Sequence, residues 1–83
     1  MKVKVNDVRS VHITGDYIKL DSLLKLASVA STGGEAKILI QSGEVYVGKE
    51  ICIARGRKIR PGDFVRCGEN YILVKSFSGK TDI

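Results

Sequence analysis

Leu20-Asp21-Ser22-Leu23-Leu24-Lys25-Leu26-Ala27-Ser28-Val29-Ala30-Ser31-Thr32-Gly33-Gly34-Glu35-Ala36-Lys37-Ile38-Leu39-Ile40-Gln41-Ser42-Gly43 is the only part of the chain with a helical period. Leu20, Leu23, Leu24, Ala27 and Ala30 fall on one face, with Asp21, Ser22, Lys25 and Ser28 largely on the other. That spacing predicts a first helix over residues 20–29. Thr32 and Glu35 then stand three apart, the spacing of a capping box. A second helix is predicted from Gly33 or Gly34 to about Ser42, burying Ala36, Leu39 and Ile40 and stopped by Gly43.

On both sides of this stretch the period drops to two. Val3 and Val5 alternate with Lys2 and Lys4, and Asn6-Asp7 signals a turn. Alternation resumes from Arg9 to Thr14 through Val11 and Ile13, and Gly15-Asp16 ends it. Beyond Gly43, Glu44 to Val47 and Glu50 to Ile53 read as a hairpin about Gly48-Lys49. Glycine at its first turn position suits a type II′ turn. Phe64 to Cys67 and Tyr71 to Lys75 read as a second hairpin about Gly68-Glu69-Asn70. The tail from Ser78 is expected to fray. Strands, two short helices and four more strands make a small α+β domain.

The chain has 83 residues, room for one domain with a modest core. It carries 14 Lys and Arg against 9 Asp and Glu, a formal net charge of +5. That excess favours nucleic acid, an anionic surface or an acidic protein as partner. No apolar run approaches the roughly 20 residues that span a bilayer, and the N-terminus lacks the apolar stretch of a signal peptide. The expected location is the cytoplasm, with no membrane partner. There is no internal repeat, linker or low-complexity segment.

The charge is concentrated in Arg55-Gly56-Arg57-Lys58-Ile59-Arg60-Pro61-Gly62-Asp63, with four cations in six residues before a Pro-Gly-Asp turn. Arg55, Arg57, Lys58 and Arg60 on one loop form a site for phosphate oxygens, which the planar guanidinium binds bidentately. The bland reading is a solvated loop that keeps the protein soluble. Gly56 and Gly62 allow close backbone approach to a phosphate. No nucleophile is paired with a base. His12, the only histidine, lies in an alternating strand and reads as an ordinary strand residue. Cys52 and Cys67 stand fifteen positions apart with no Cys-x-x-Cys pair, so they read as small sheet residues rather than zinc ligands or a disulfide. Asp21 and Asp63 read as structural. No enzyme, cofactor, metal or small-molecule substrate is expected.

The segments Ile18-Lys19-Leu20-Asp21 with Leu24-Lys25, Glu35 to Ile40, Gly43 to Val47 and Arg55 to Asp63 together resemble the S-four RNA-binding domain. This is the alpha-L motif, two short helices packed on a small, mainly antiparallel sheet. The likeness covers about residues 11–67. Residues 1–10 would form an N-terminal strand extension and residues 78–83 a tail. The stretches STGGEAK and LIQSGEV most resemble the small stand-alone bacterial YaaA/YbcJ branch. Three positions depart from the wider family: Gly33 where many members carry Arg, Gly48-Lys49 where Asn-Gly is common, and Tyr46 where Lys or Arg is common.

The resemblance implies a non-catalytic module for structured RNA, ribosomal RNA or a ribosome-bound state. A monomer is expected rather than a dimer, although the exposed strand edges of a small sheet make a dimer conceivable. It implies RNA contact by Arg55, Arg57, Lys58 and Arg60. Lys25 and Lys37 would extend the patch along the helices, with Lys19 beside them and Lys49 at the hairpin tip. Lys37 stands near a helix start, where free N–H groups favour an anion. Ser31 and Thr32 are placed to donate to phosphate there or to cap the helix. Tyr46 reads as a residue packed on the sheet, with stacking on an unpaired base as the other reading. Tyr17 and Tyr71 read as core or sheet residues. An adaptor that binds an acidic protein is the alternative from another class, and DNA binding is a variant of the main reading.

Overall fold

The computed structural model describes residues 8–76. The strand expected at residues 2–5, the turn at Asn6-Asp7 and the tail from Ser78 lie outside the described residues. The chain runs β1 (Val8–Ile13), β2 (Ile18–Lys19), α1 (Leu20–Leu26), α2 (Gly33–Gln41), β3 (Val45–Val47), β4 (Glu50–Ile51), β5 (Lys58–Ile59), β6 (Phe64–Cys67) and β7 (Asn70–Ser76). Five strands form one sheet in the order β1-β7-β6-β3-β4, and β2 pairs with β5 in a small second sheet. Among the described residues all pairings are antiparallel except β1 with β7. This is the expected α+β arrangement, with the parallel β1–β7 pair and the β2–β5 ladder added to it.

The helical period places its apolar residues as the spacing requires. Leu20, Leu23, Leu24, Ala36 and Ile40 are fully buried, and Ala27 and Ala30 nearly so. Leu39 is half-buried and packs against the same cluster. The sheet contributes Val11, Ile13, Val45, Val47, Val65, Cys67, Ile72 and Val74. These alternate along their strands, so both helices share the core with one face of the sheet. Cys52 and Cys67 are buried free thiols, as small apolar residues commonly are. Burial, and secondarily the Glu44 carboxylate, pushes the Cys67 thiol above its ordinary value.

The first helix ends at Leu26, short of the predicted Val29. Ser28 N–H donates to the Lys25 carbonyl and Val29 N–H to the Leu24 carbonyl. Ser28 takes φ +63. This is a Schellman ending, with serine at the left-handed position that glycine usually fills. Sequence offers no stop signal there, because serine does not advertise that conformation. A side chain in this region costs about 1–2 kcal/mol, and glycine's extra freedom in the unfolded chain offsets part of that. Ser28→Gly is therefore expected to stabilise the domain by about 0.5–1 kcal/mol, read from denaturant midpoints.

The second helix starts as predicted. Thr32 Oγ1 accepts the Glu35 N–H at 3.0 Å. The Glu35 carboxylate reaches Ser31 N–H, at 2.6 Å, rather than the N–H of Thr32 itself. The box is thus closed one residue early. At the other end Gly43, at φ +85, donates to the Ile40 carbonyl.

The first hairpin turns where the sequence places it, and the second is tighter than the sequence suggests. Val47 pairs with Glu50 across Gly48-Lys49, and Gly48 takes φ +64. Beyond Ile51 the strand leaves the ladder after Cys52 N–H reaches the Val45 carbonyl. In the second hairpin Asn70 already pairs with Cys67, so the turn is Gly68-Glu69 alone.

Candidate nucleic-acid interface

The basic segment is fixed to the first helix by its backbone. Helix starts leave N–H groups without intrahelical acceptors, and Lys19, at the N-cap, supplies no side-chain cap. The carbonyls of the basic segment take that role. Leu20 N–H donates to the Arg57 carbonyl at 2.9 Å and Asp21 N–H to the Arg55 carbonyl at 3.1 Å. Arg57 N–H closes back on the Ala54 carbonyl. The segment's main chain is thus committed to the fold, and its side chains are turned outward. Arg55, Arg57, Lys58 and Arg60 are all exposed, while Ile59 between them is fully buried as an anchor.

The short β2–β5 ladder brings in a fifth cation. Ile18 stands opposite Ile59 and Lys19 opposite Lys58. Directly opposed residues project to the same side, so the two lysines lie side by side. Like charges in that relation repel, and a bound polyanion relieves the repulsion. Lys58 Nζ lies 4.8 Å from the centre of the Tyr17 ring, a favourable cation–π distance. Tyr17 is 41% exposed, which corrects its reading as a core or sheet residue.

The two aspartates are structural, as the sequence suggests. Asp21 Oδ2 stands 3.6 Å from Arg55 Nε, with the arginine side chain 51% exposed. Such a pair is weak in water and leaves the guanidinium available to a phosphate. Asp63 Oδ2 accepts the Arg60 N–H at 2.8 Å, and Asp63 N–H returns to the Arg60 carbonyl at 2.9 Å. The turn holds Arg60 in place, with Gly62 at φ +98. Arg57 Nη1 approaches Cys52 Sγ at 4.0 Å.

Lys25 and Lys37 are exposed on the helices. Lys25 Nζ lies about 4.0 Å from where a side chain on Gly33 would begin. A cation therefore stands beside the start of α2, although Gly33 carries none. Lys37 follows one turn further along that helix. Lys49 belongs to a different group. It lines a cavity on the sheet face turned away from the helices, together with Tyr46, Phe64, Arg66 and Tyr71.

Sequence reading missed Arg66 and Arg9. The alternation in Phe64-Val65-Arg66-Cys67 was the available signal for Arg66, since it puts Phe64 and Arg66 on one face. Arg9 donates through Nη1 to the Ala27 carbonyl, so it braces the end of α1. Among the described residues no three His, Cys, Asp or Glu side chains gather as metal ligands, and no helix is long and apolar enough to cross a membrane.

Residues 11–75 match the family described as the S4 domain. The chain is also similar to a Bacillus subtilis (strain 168) protein named "Probable ribosome maturation protein RlbA". The two are 42% identical over 55 residues, which is 66% of this chain and 78% of that protein.

Proposed function

The chain belongs to the S4 domain family of RNA-binding modules, and from that premise we propose that it binds structured RNA, most specifically ribosomal RNA in or near the ribosome. The observation that carries this reading is the basic segment held by its own carbonyls on the start of α1, with Lys58 opposed to Lys19. Arg55, Arg57, Lys58, Arg60 and Lys19 form the centre of the interface. Lys25 and Lys37 continue it along the helices. Because the main chain is already bonded, little ordering is needed when these cations meet phosphates. Affinity comes chiefly from counterion release, and selection of the site from RNA shape. The protein works without chemistry of its own, as a monomer that marks or stabilises one RNA conformation. The similarity to a protein named for ribosome maturation supports the ribosome as the place to look.

The purified protein is expected to co-sediment with ribosomal particles or their precursors at low salt and to be released as salt rises. Co-sedimentation that ignores salt, or none at any salt, would count against the proposal. Capture by an acidic protein in place of RNA would favour the adaptor reading.

A further inference from the structure

The outer face of the five-stranded sheet carries an arrangement that the basic segment does not explain. Tyr46, Arg66 and Tyr71 stand in register across β3, β6 and β7. The Arg66 guanidinium carbon lies 4.4 Å from the centre of the Tyr46 ring. Phe64 and Tyr71 form a tilted ring pair with centres 5.7 Å apart. These four side chains, with Gly48 and Lys49 at the hairpin tip, line a cavity of about 340 Å³. Neither helix packs on this face, since the residues shared with them point the other way. Arg66 Nε is buried and is the one such side-chain atom without a hydrogen-bond partner among the described residues. Among the described residues no acidic side chain lines the cavity.

We propose that this face is a second RNA site, which holds one unstacked nucleotide against the outer side of the Arg66–Tyr46 stack and beside the Phe64 and Tyr71 rings, with its phosphate on Lys49. The inference rests on the RNA-binding reading above and extends it to single-stranded RNA. A guanidinium stacked on a ring presents a flat cationic surface, on which a base stacks well. The volume suits one nucleotide, at the small end of ligand cavities. A duplex hides the faces of its bases, so the ligand is a loop or bulge nucleotide. The cations select an anion, and the rings select a flat base. An unpaired buried donor is costly, and an acceptor on a base or ribose satisfies it after a small side-chain shift. The two surfaces would then divide the work, the basic segment holding helical backbone and the sheet holding an extruded base.

The test uses two probes on the intact protein: a single-stranded RNA hexamer, and a fully paired, blunt-ended RNA stem of two strands with no loop. The variants are Tyr46→Leu, Arg66→Gln and Lys49→Ala, each checked by its melting curve. Tyr46→Leu or Arg66→Gln is expected to weaken hexamer binding by at least about fivefold, the lower end for loss of one stacked base. Lys49→Ala, which touches no packing in the core, should lower it and flatten its salt dependence. Paired-stem binding should stay within about twofold, because that probe depends on counterion release at the basic segment. Hexamer binding unchanged in both the Arg66 and Lys49 variants overturns the proposal, as does a wild-type protein that binds no hexamer at low salt. Failure of the proposed function itself looks different: the stem would then be unbound by every form of the protein.

Discussion

Replacing Arg55, Arg57, Lys58 and Arg60 together by alanine is expected to lower affinity for a structured ribosomal RNA fragment by roughly 10²- to 10³-fold at about 0.1 M salt. The estimate follows from counterion release. Each neutralised phosphate contributes close to one unit to the slope of log affinity against log salt, so four lost contacts are worth about that much near 0.1 M. The fold should survive. The segment is bonded to α1 through its carbonyls, which alanine keeps. Its anchor, Ile59, is untouched and fully buried. The Arg55–Asp21 pair is exposed on the arginine side, so its loss costs at most about 1 kcal/mol. Loss of the Lys58–Lys19 repulsion acts in the opposite direction. Affinity and melting should therefore separate. Binding that falls only because the variant melts would place the segment in the structure and not at the interface.

The second large effect lies in the core. Leu24→Ala is expected to destabilise the domain by about 2–5 kcal/mol, the range for a buried leucine truncated in a packed core. Leu24 is completely buried, and its carbonyl also accepts the N–H groups of Val29 and Ala30 that end α1. In a domain of this size such a loss should lower the melting temperature by at least roughly 10 °C. Leu26 is the control within the same helix. It is 57% exposed, and Leu26→Ala should change stability by less than about 1 kcal/mol. Two leucines two positions apart thus differ because one lies on the core stripe and the other does not. Equal effects from the two would show that the helix is turned differently.

The helix faces were legible in the sequence because burial imposes a period on them. Leu20, Leu23, Leu24, Ala36 and Ile40 all lie where that period puts them. Turn chemistry gave both hairpins, through Gly48 and Gly68. What escaped the sequence had no period or no local cause. The β2–β5 ladder is two residues long, too short to alternate, and it forms only because Ile18 and Ile59 meet in the folded chain. The parallel pairing of β1 with β7 joins segments about 60 positions apart, and no turn between them announces it. Ser28 ends α1 with a residue that rarely does so.

The candidate site divides in the same way. The run Arg55 to Arg60 was readable as a cluster from composition alone. That its carbonyls cap α1, and that Lys19 joins it from the other strand, needed the fold. Lys49 reads in the sequence as an RNA contact at the hairpin tip, and the fold sets it there beside Tyr46 and Arg66. Tyr17 reads in the sequence as a core or sheet residue, yet its ring stands under Lys58 at the surface.

The measurement that bears most directly on the central claim is a salt titration of binding to a labelled, structured ribosomal RNA fragment, with the wild type beside the four-alanine variant. If the basic segment neutralises about four phosphates, it should contribute roughly −3 to −4 to the wild-type slope of log affinity against log salt, with Lys19, Lys25 and Lys37 adding to it. The variant should give a markedly shallower line. Equal slopes for the two proteins, or a wild-type slope near zero, would contradict the account.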